Sequence, residues 1–422
     1  MNTPLVFKFG GASVKDAESV RNVAAIIARF PDRPMVVVVS AMGKMTNAFE
    51  SVVAHWEQQN VTEAQQELNN IRAFHQGIID QLFEPIPQSL LSDLEFWYNH
   101  LSEQLSNTSS SYSEQYDNIV HHGELISTRI VQEYVNLSTP AIWQDTRKLV
   151  RTDSQFRRAT VEWDETAARI TKAINDDRVH FVQGFIGSDA DGRPTTLGRE
   201  GSDYTGAVFA YCLGANSLTI WKDVPGMLNG DPKTFTNTTL IHQLPFAEAI
   251  ELAFYGASII HPKTIQPLQK KGIPLNIKSF VDPSAEGTVI LESEAADPQV
   301  PNFILKRNQA LLDLRTKDLA FIAEHHLSAV YQLFAELGVV VNLMRNTATK
   351  ATFCINNDAI IVPRVVQALS DSFELTLVPD VELLTIRHYT EEDVARETEG
   401  MTILQEQRTP ETVQFVFTRA NA

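Results

Sequence analysis

Leu5-Val6-Phe7-Lys8-Phe9-Gly10-Gly11-Ala12-Ser13-Val14 is the stretch that decides the fold. A short strand-like run ends at two glycines, and Val20, Val23, Ala24 and Ile27 then recur at helical spacing. The reading is strand, glycine turn, helix. Next along the chain, Met35-Val36-Val37-Val38-Val39 is too short for a helix and continuously apolar, as expected of a strand covered on both faces in a parallel sheet. It too runs into a small-residue turn, Ser40-Ala41-Met42-Gly43. Glycines directly after a strand expose backbone N–H groups at a helix start, where phosphate can approach without a Cβ in the way. Lys8 adds a full positive charge. Neither G-x-x-x-x-G-K-[ST] nor G-x-G-x-x-G occurs, so the turn is not a Walker loop or a Rossmann fingerprint. Taken alone, it also reads as a tight turn beside a solvated lysine.

Working outward, residues from about Asn47 to Ser106 are helical in pattern and rich in Gln, Glu and Leu, followed by a polar loop to Ser111. We read about 47–120 as a helical insertion, with Trp97-Tyr98 in its core. His180 to Gly187 and Ser217 to Trp221 are expected strands, with a helix from about Asp203 to Leu213 between them. Strands alternate with helices to about Ile290, which implies an α/β layer fold with a mainly parallel sheet. The last third changes character. Expected strands at Leu311–Leu314, Val339–Leu343, Ala351–Ile355 and Phe373–Val378 and two helix faces give the order β-α-β-β-α-β, a ferredoxin-like unit. An abbreviated second copy follows, with strands near 381–386, 401–404 and 413–417.

Composition narrows the classes. A chain of 422 residues corresponds to about two or three domains. With 43% hydrophobic and 21% charged residues, neither a disordered nor a collagen-like chain fits. Cys212 and Cys354 cannot build a disulfide framework, so a reducing compartment is expected. No apolar run approaches the roughly 18 residues of a membrane span, and the N-terminal stretch lacks a basic region, so the cytoplasm is the expected location. A formal net charge of −17 disfavours nucleic acid and acidic membrane surfaces as partners. Anionic small substrates would need local basic pockets. His121-His122 and His325-His326 are sequence neighbours that diverge on a helix, and no protein-bound metal is expected.

Three further constellations carry chemistry. In Thr195-Thr196-Leu197-Gly198-Arg199-Glu200-Gly201-Ser202-Asp203-Tyr204, two glycines bracket an arginine whose planar fork suits a carboxylate, and Ser202 or Asp203 caps a helix. Trp221-Lys222-Asp223-Val224-Pro225-Gly226, then Asp231-Pro232-Lys233, is a strand end opening into a charged loop. In His121-His122-Gly123-Glu124 the glutamate either meets an ammonium group or starts a helix.

Together and in this order, Lys8-Phe9-Gly10-Gly11-Ala12-Ser13-Val14, His122-Gly123-Glu124, Leu197-Gly198-Arg199-Glu200-Gly201-Ser202-Asp203-Tyr204 and Lys222-Asp223-Val224-Pro225-Gly226 resemble the signature series of aspartokinases, within the amino-acid kinase family. The resemblance covers residues 1 to about 290 and continues into a region similar to that family's ACT regulatory modules. It implies a three-layer αβα amino-acid kinase fold over 1–295, and ferredoxin-like ACT-type modules over 300–422, the first at about 309–378 and the second at about 379–422. It also implies phosphorylation of the side-chain carboxylate of L-aspartate by MgATP, with Mg²⁺ and ATP as cofactors. The product, 4-phospho-L-aspartate, leads toward lysine, threonine, methionine and diaminopimelate. By the same resemblance Lys8, Gly10, Gly11 and Asp203 serve the reacting phosphate. Arg199 takes the substrate α-carboxylate and Glu124 its ammonium, with Ser40, Thr46 and Ser202 lining the pocket. Lys222, Asp223, Asp231 and Lys233 belong to the ATP side.

This sequence departs from many relatives at several points. Lys222 stands where a threonine is frequent, Leu228 where a tyrosine is, and Ser258 where a lysine is common; Lys263, directly after His261-Pro262, either supplies a charge to the same ATP region or is a surface lysine at a helix start. Leu314-Arg315-Thr316-Lys317-Asp318-Leu319 lacks glycine, and Asn342 occupies a place where many relatives carry aspartate. Lysine or threonine as an effector at the ACT-like region, and a homodimer or higher homo-oligomer, are what the resemblance implies. The alternatives are a kinase of the same fold for another amino acid, and a catalytically weak amino-acid sensor.

Overall fold

The computed structural model describes residues 3–419 apart from 32, 108, 258–259, 294–299 and 319. Ser258 and Leu319 therefore lie outside the described residues. The chain divides into two compact units.

The first unit comprises Met1–Met227, Leu240–Ile250 and Ile259–Ala296. Its eight-stranded sheet has the order Gln243–Pro245, Thr288–Leu291, Leu275–Ser279, Ser217–Lys222, Leu5–Phe9, Met35–Val39, Val179–Gln183, Ala141–Trp143. Adjacent strands are parallel except Leu275–Ser279 against Thr288–Leu291. Every residue of Leu5–Phe9 and Met35–Val39 is buried, as their continuous apolar character requires. Leu5–Phe9 lies between Met35–Val39 and Ser217–Lys222, with Lys8 level with Val38 and Ile220. The chain leaves this central strand toward one side first and returns on the other much later. Such a reversal of strand order opens a crevice at the carboxyl ends of the strands, and Lys8, Ser40 and Lys222 are at that end.

The helix Ala17–Ile27 starts where Asp16 accepts a 2.8 Å hydrogen bond from the Ser19 N–H. The expected insertion consists of Met45–Glu57, Val61–Leu82, Gln88–Gln104 and Tyr112–Val120, followed by His122–Val135. Its apolar faces, including Phe49, Leu68, Leu90, Trp97 and Tyr98, are continuous with the core that covers Phe7 and Phe9. One strand differs from expectation. His180–Gly187 does not run through: Val179–Gln183 ends, Phe185 takes a left-handed conformation (φ 71), and Ile186–Ser188 pairs separately with Pro194–Thr196. The helix after it spans Gly201–Leu213.

The second unit comprises Leu228–Thr239, Glu251–Ser258 and Asp297–Ala422. Its six-stranded sheet is antiparallel throughout, in the order Val341–Asn346, Lys350–Asn356, Asn302–Thr316, Phe373–Arg387, Thr412–Arg419, Met401–Arg408. The β-α-β-β-α-β order is present, with helices Glu324–Leu337 and Ile361–Leu369. The expected division between the two copies at 378/379 falls inside a continuous strand. Asn302–Thr316 and Phe373–Arg387 each run through both halves, with register shifts around Gln309 and left-handed residues at Asn308 and Asp380. Phe334, Phe353 and Val365 fill the core of one half, and Leu384, Phe415 and Phe417 that of the other. The second half carries one short helix, Glu391–Glu397, closed by a Thr390–Asp393 capping box.

Leu228–Thr239 packs within this second unit: the Asn229 amide donates to the Pro301 carbonyl at 2.8 Å, and Phe235 lies 5.5 Å from Phe303 between ring centroids. Among the described residues no helix is long and apolar enough to cross a membrane.

Candidate active site

Two interlocking glycine turns follow Leu5–Phe9 and Met35–Val39 at the carboxyl end of the sheet. The Ser40 N–H donates to the Phe9 carbonyl at 3.1 Å, and the Gly43 N–H to the Gly11 carbonyl at 3.0 Å. A Cβ on Gly11 would lie 2.7 Å from the Gly43 carbonyl oxygen and 2.8 Å from that of Ala41, so only glycine lets the turns meet. A Cβ on Gly10 would lie 3.5 Å from Lys8 Nζ, so its bare Cα keeps space beside the ammonium.

The ammonium of Lys8 is 2.5 Å from Asp203 Oδ1, and Lys222 Nζ is 3.7 Å from Asp203 Oδ2. Asp203 stands in the first turn of Gly201–Leu213, where the helix dipole favours a negative charge. Burial alone would raise its carboxyl, but Lys8 and then Lys222 hold it below the ordinary value. The result is a lysine–carboxylate–lysine bridge with a net positive charge at the ends of two central strands.

Glu124 is buried in the first turn of His122–Val135. Gly123 makes this approach close: a Cβ there would meet Ala41 Cβ at 3.1 Å and the Phe49 ring at 3.3 Å. Glu124 Oε1 accepts from the Ala41 N–H at 3.3 Å, while Oε2 has no hydrogen-bond partner among the described residues. Burial pushes this carboxyl up to about 8, against weaker opposing pulls from backbone N–H groups and Lys8. It is a buried acid with one oxygen waiting for a donor.

Lys8, Ser40, Thr46, Glu124, Arg199, Ser202, Asp203 and Lys222, all named from the sequence, line one cavity of about 570 Å³ in the first unit. Gly10 and Gly11 are not among its lining residues. Asp223 is exposed just beyond its strand, outside the lining. Asp231 and Lys233 are in the second unit, where the Lys233 N–H donates to Asp231 Oδ1 at 2.9 Å in a tight turn. Lys263 is not among the lining residues; its ammonium lies 5.0 Å above the Tyr204 ring.

The sequence reading missed Glu50, Tyr116, Arg157, Phe185 and Glu200, which line the same cavity. Glu50 had a signal, since it lies one turn after Thr46 on the same helix face. Tyr116 donates to Glu50 Oε1 at 2.6 Å. Phe185, Arg157 and Glu200 have φ of 71°, 68° and 55°, so three non-glycine residues in the left-handed region meet at this cavity, as strain often does at working sites. Asp117, buried behind the wall and pushed up to about 6 chiefly by burial, ties two segments together. Its Oδ2 accepts from the N–H groups of Arg157 (3.0 Å) and Thr196 (2.9 Å), and its Oδ1 from the Thr196 hydroxyl (2.6 Å).

Comparison with known proteins agrees with this arrangement. A family model described as "Amino acid kinase family" matches residues 3–279. The chain is 32% identical over 362 residues to the lysine-sensitive aspartokinase 3 of Escherichia coli, covering 84% of this chain and 79% of that protein. The chain belongs to the aspartokinases of the amino acid kinase family. It is likewise 32% identical to the chloroplastic aspartokinase 1 of Arabidopsis thaliana, covering 83% of this chain but 63% of that protein, so it spans less than two thirds of the plant aspartokinase. The solved structure of Escherichia coli aspartokinase III in complex with aspartate and ADP superposes with a TM-score of 0.84 at 27% identity, covering 98% of this chain and 96% of that one. Among the described residues of this aspartokinase no group of three or more His, Cys, Asp and Glu side chains could hold a metal ion. The carboxylate at the centre, Asp203, is already engaged by two lysines.

Proposed function

We propose that the chain transfers the γ-phosphoryl group of MgATP to the side-chain carboxylate of L-aspartate, giving 4-phospho-L-aspartate and ADP. The observation that carries this reading is the joint presence, in one cavity, of the Lys8–Asp203–Lys222 bridge, an Arg199 guanidinium with no carboxylate partner among the described residues, and the half-satisfied acid Glu124.

The acceptor carboxylate has an ordinary pKa near 3.9 and is already an anion at neutral pH, so the transfer needs no general base. Its oxygen forms a bond to the γ-phosphorus as the bond from that phosphorus to the β,γ-bridging oxygen breaks, and ADP leaves with the electron pair. The difficulty is bringing two anions together. Lys8 and Lys222 supply fixed positive charge, and Asp203 holds both ammonium groups in place without cancelling them. Arg199 suits the α-carboxylate and Glu124 the α-ammonium, with Ser40, Thr46 and Ser202 as hydrogen-bonding walls. That pair selects a free amino acid, because an acylated amine leaves Glu124 unsatisfied. Mg²⁺ fits here as an ion carried by the nucleotide phosphates and water rather than by a carboxylate cage. Gly10 and Gly11 would sit beneath the reacting phosphate, and Asp223, Asp231 and Lys233 would serve the nucleotide.

The product is an acyl phosphate, the first intermediate toward lysine, threonine, methionine and diaminopimelate. The two free cysteines fit a reducing, cytoplasmic setting. Lysine is the effector to test first at the ACT-like sheet, given the lysine-sensitive relative. There Asn342 accepts from Lys306 Nζ at 2.7 Å and donates to Gln309 and Asn356, so its amide is engaged within the sheet. A homodimer or higher homo-oligomer is part of the same reading.

The deciding experiment is ADP release with MgATP and L-aspartate, L-glutamate, N-acetyl-L-glutamate or no acceptor, with hydroxylamine to trap an acyl phosphate. Aspartate-dependent hydroxamate is the expected result. Turnover with another acceptor would replace the substrate, and silence with all three alongside retained aspartate binding would favour a sensor.

A further inference from the structure

Arg157 lies far in sequence from every motif of the site, yet it lines the same cavity as Arg199. Its backbone is in the left-handed region at φ 68, which costs a non-glycine residue about 1 kcal/mol. Three contacts hold it there. Its N–H is fixed by buried Asp117, the same carboxylate that fixes Thr196 in the strand leading to Gly198-Arg199. Its guanidinium carbon lies 4.6 Å from the Tyr116 ring centroid and 5.2 Å from that of Tyr112. The Tyr116 hydroxyl is in turn anchored on Glu50. A Cβ on Gly198 would lie 3.3 Å from the Arg157 carbonyl oxygen, so the backbones of the two arginine-bearing turns touch. Among the described residues neither guanidinium has a carboxylate within ion-pair distance.

We propose that Arg157 is a second specificity residue for the substrate: its pre-oriented guanidinium joins Arg199 in gripping the α-carboxylate of L-aspartate. A carboxylate has about four acceptor positions and one arginine fork occupies two, so a second fork can be satisfied by the same group. The cavity then recognises a free α-carboxylate more strictly than Arg199 alone would. The inference rests on the aspartate kinase reading above.

The test uses the full chain and three forms: wild type, Arg157→Gly and Arg157→Lys. Glycine adopts φ 68 freely and keeps the N–H to Asp117, so the variant should fold with an unchanged or higher melting temperature. L-Aspartate and its α-amide are titrated calorimetrically, and both are assayed as acceptors. Arg157→Gly is expected to weaken L-aspartate binding and raise its KM on the order of 10-fold, with kcat within about 2-fold and KM for ATP unchanged. Discrimination against the α-amide should fall by a similar factor, and Arg157→Lys should recover only part of the loss because a lysine has no fork. Unchanged aspartate affinity and amide discrimination in Arg157→Gly would overturn the proposal, as would a rise confined to KM for ATP. Aspartate affinity lost in the variant while wild type binds but does not turn over would sustain the role of Arg157 and sink the kinase reading instead.

Discussion

Lys8 Nζ and Asp203 Oδ1 are 2.5 Å apart, on a buried strand and on the first turn of a helix almost 200 residues later. The pair gives the cavity a lysine that cannot wander and a carboxylate that stays charged. Lys8→Ala is expected to lower hydroxamate formation by at least about 100-fold, the usual cost of removing one electrostatic stabiliser of a transition state. It also leaves Asp203 with Lys222 alone at 3.7 Å, a loss of about 3 kcal/mol or more in urea unfolding. Turnover above a tenth of wild type would remove Lys8 from the mechanism.

Glu124 sets a pH dependence. Its ordinary value is 4.5 and its folded value about 8, so the folded protein holds the proton more tightly than the unfolded chain. The stability this contributes is complete below 4.5 and is lost as pH rises through 8. Glu124→Gln should flatten the stability profile in that window. An incoming ammonium needs the ionised form, so aspartate binding near pH 7 should release about one proton, and affinity should rise with pH up to about 8. Calorimetry in buffers of differing ionisation enthalpy measures the release; none in wild type would contradict the assignment.

The two adjacent glycines should fail differently. Gly11→Ala forces a methyl to within 2.7 Å of the Gly43 carbonyl oxygen and is expected to cost about 1–3 kcal/mol in thermal unfolding. Gly10→Ala meets Lys8 Nζ at an ordinary 3.5 Å, so it should fold normally and lose turnover by crowding the phosphate side of the ammonium. Equal stability of the two variants would show that the turns do not interlock as described.

Lys263→Ala should leave KM for ATP within about 2-fold, because the ammonium rests on Tyr204, and should cost no more than about 1 kcal/mol of stability. A clear rise in KM for ATP would place Lys263 at the nucleotide site.

What the sequence by itself determined was whatever local chemistry can encode. The apolar runs Leu5–Phe9 and Met35–Val39 could only be strands covered on both faces, and the glycines after them could only be turns. Lys8, Glu124, Arg199, Asp203 and Lys222 each read locally as a turn or helix start as readily as a site, and became legible only through the order of their motifs, which resembles the aspartokinase series. Only the tertiary structure decided that these residues share one cavity, because that depends on Leu5–Phe9 taking neighbours from opposite ends of the first unit. It also decided what no local signal carries. Arg157 has no motif around it and enters the wall through Asp117, 40 residues away. Asn302–Thr316 and Phe373–Arg387 fuse two expected copies into one sheet, because strand length is set by available partners as much as by the residues themselves. The fold likewise decided that the Lys263 ammonium lies over the Tyr204 ring, a contact that nothing local to Lys263 announces.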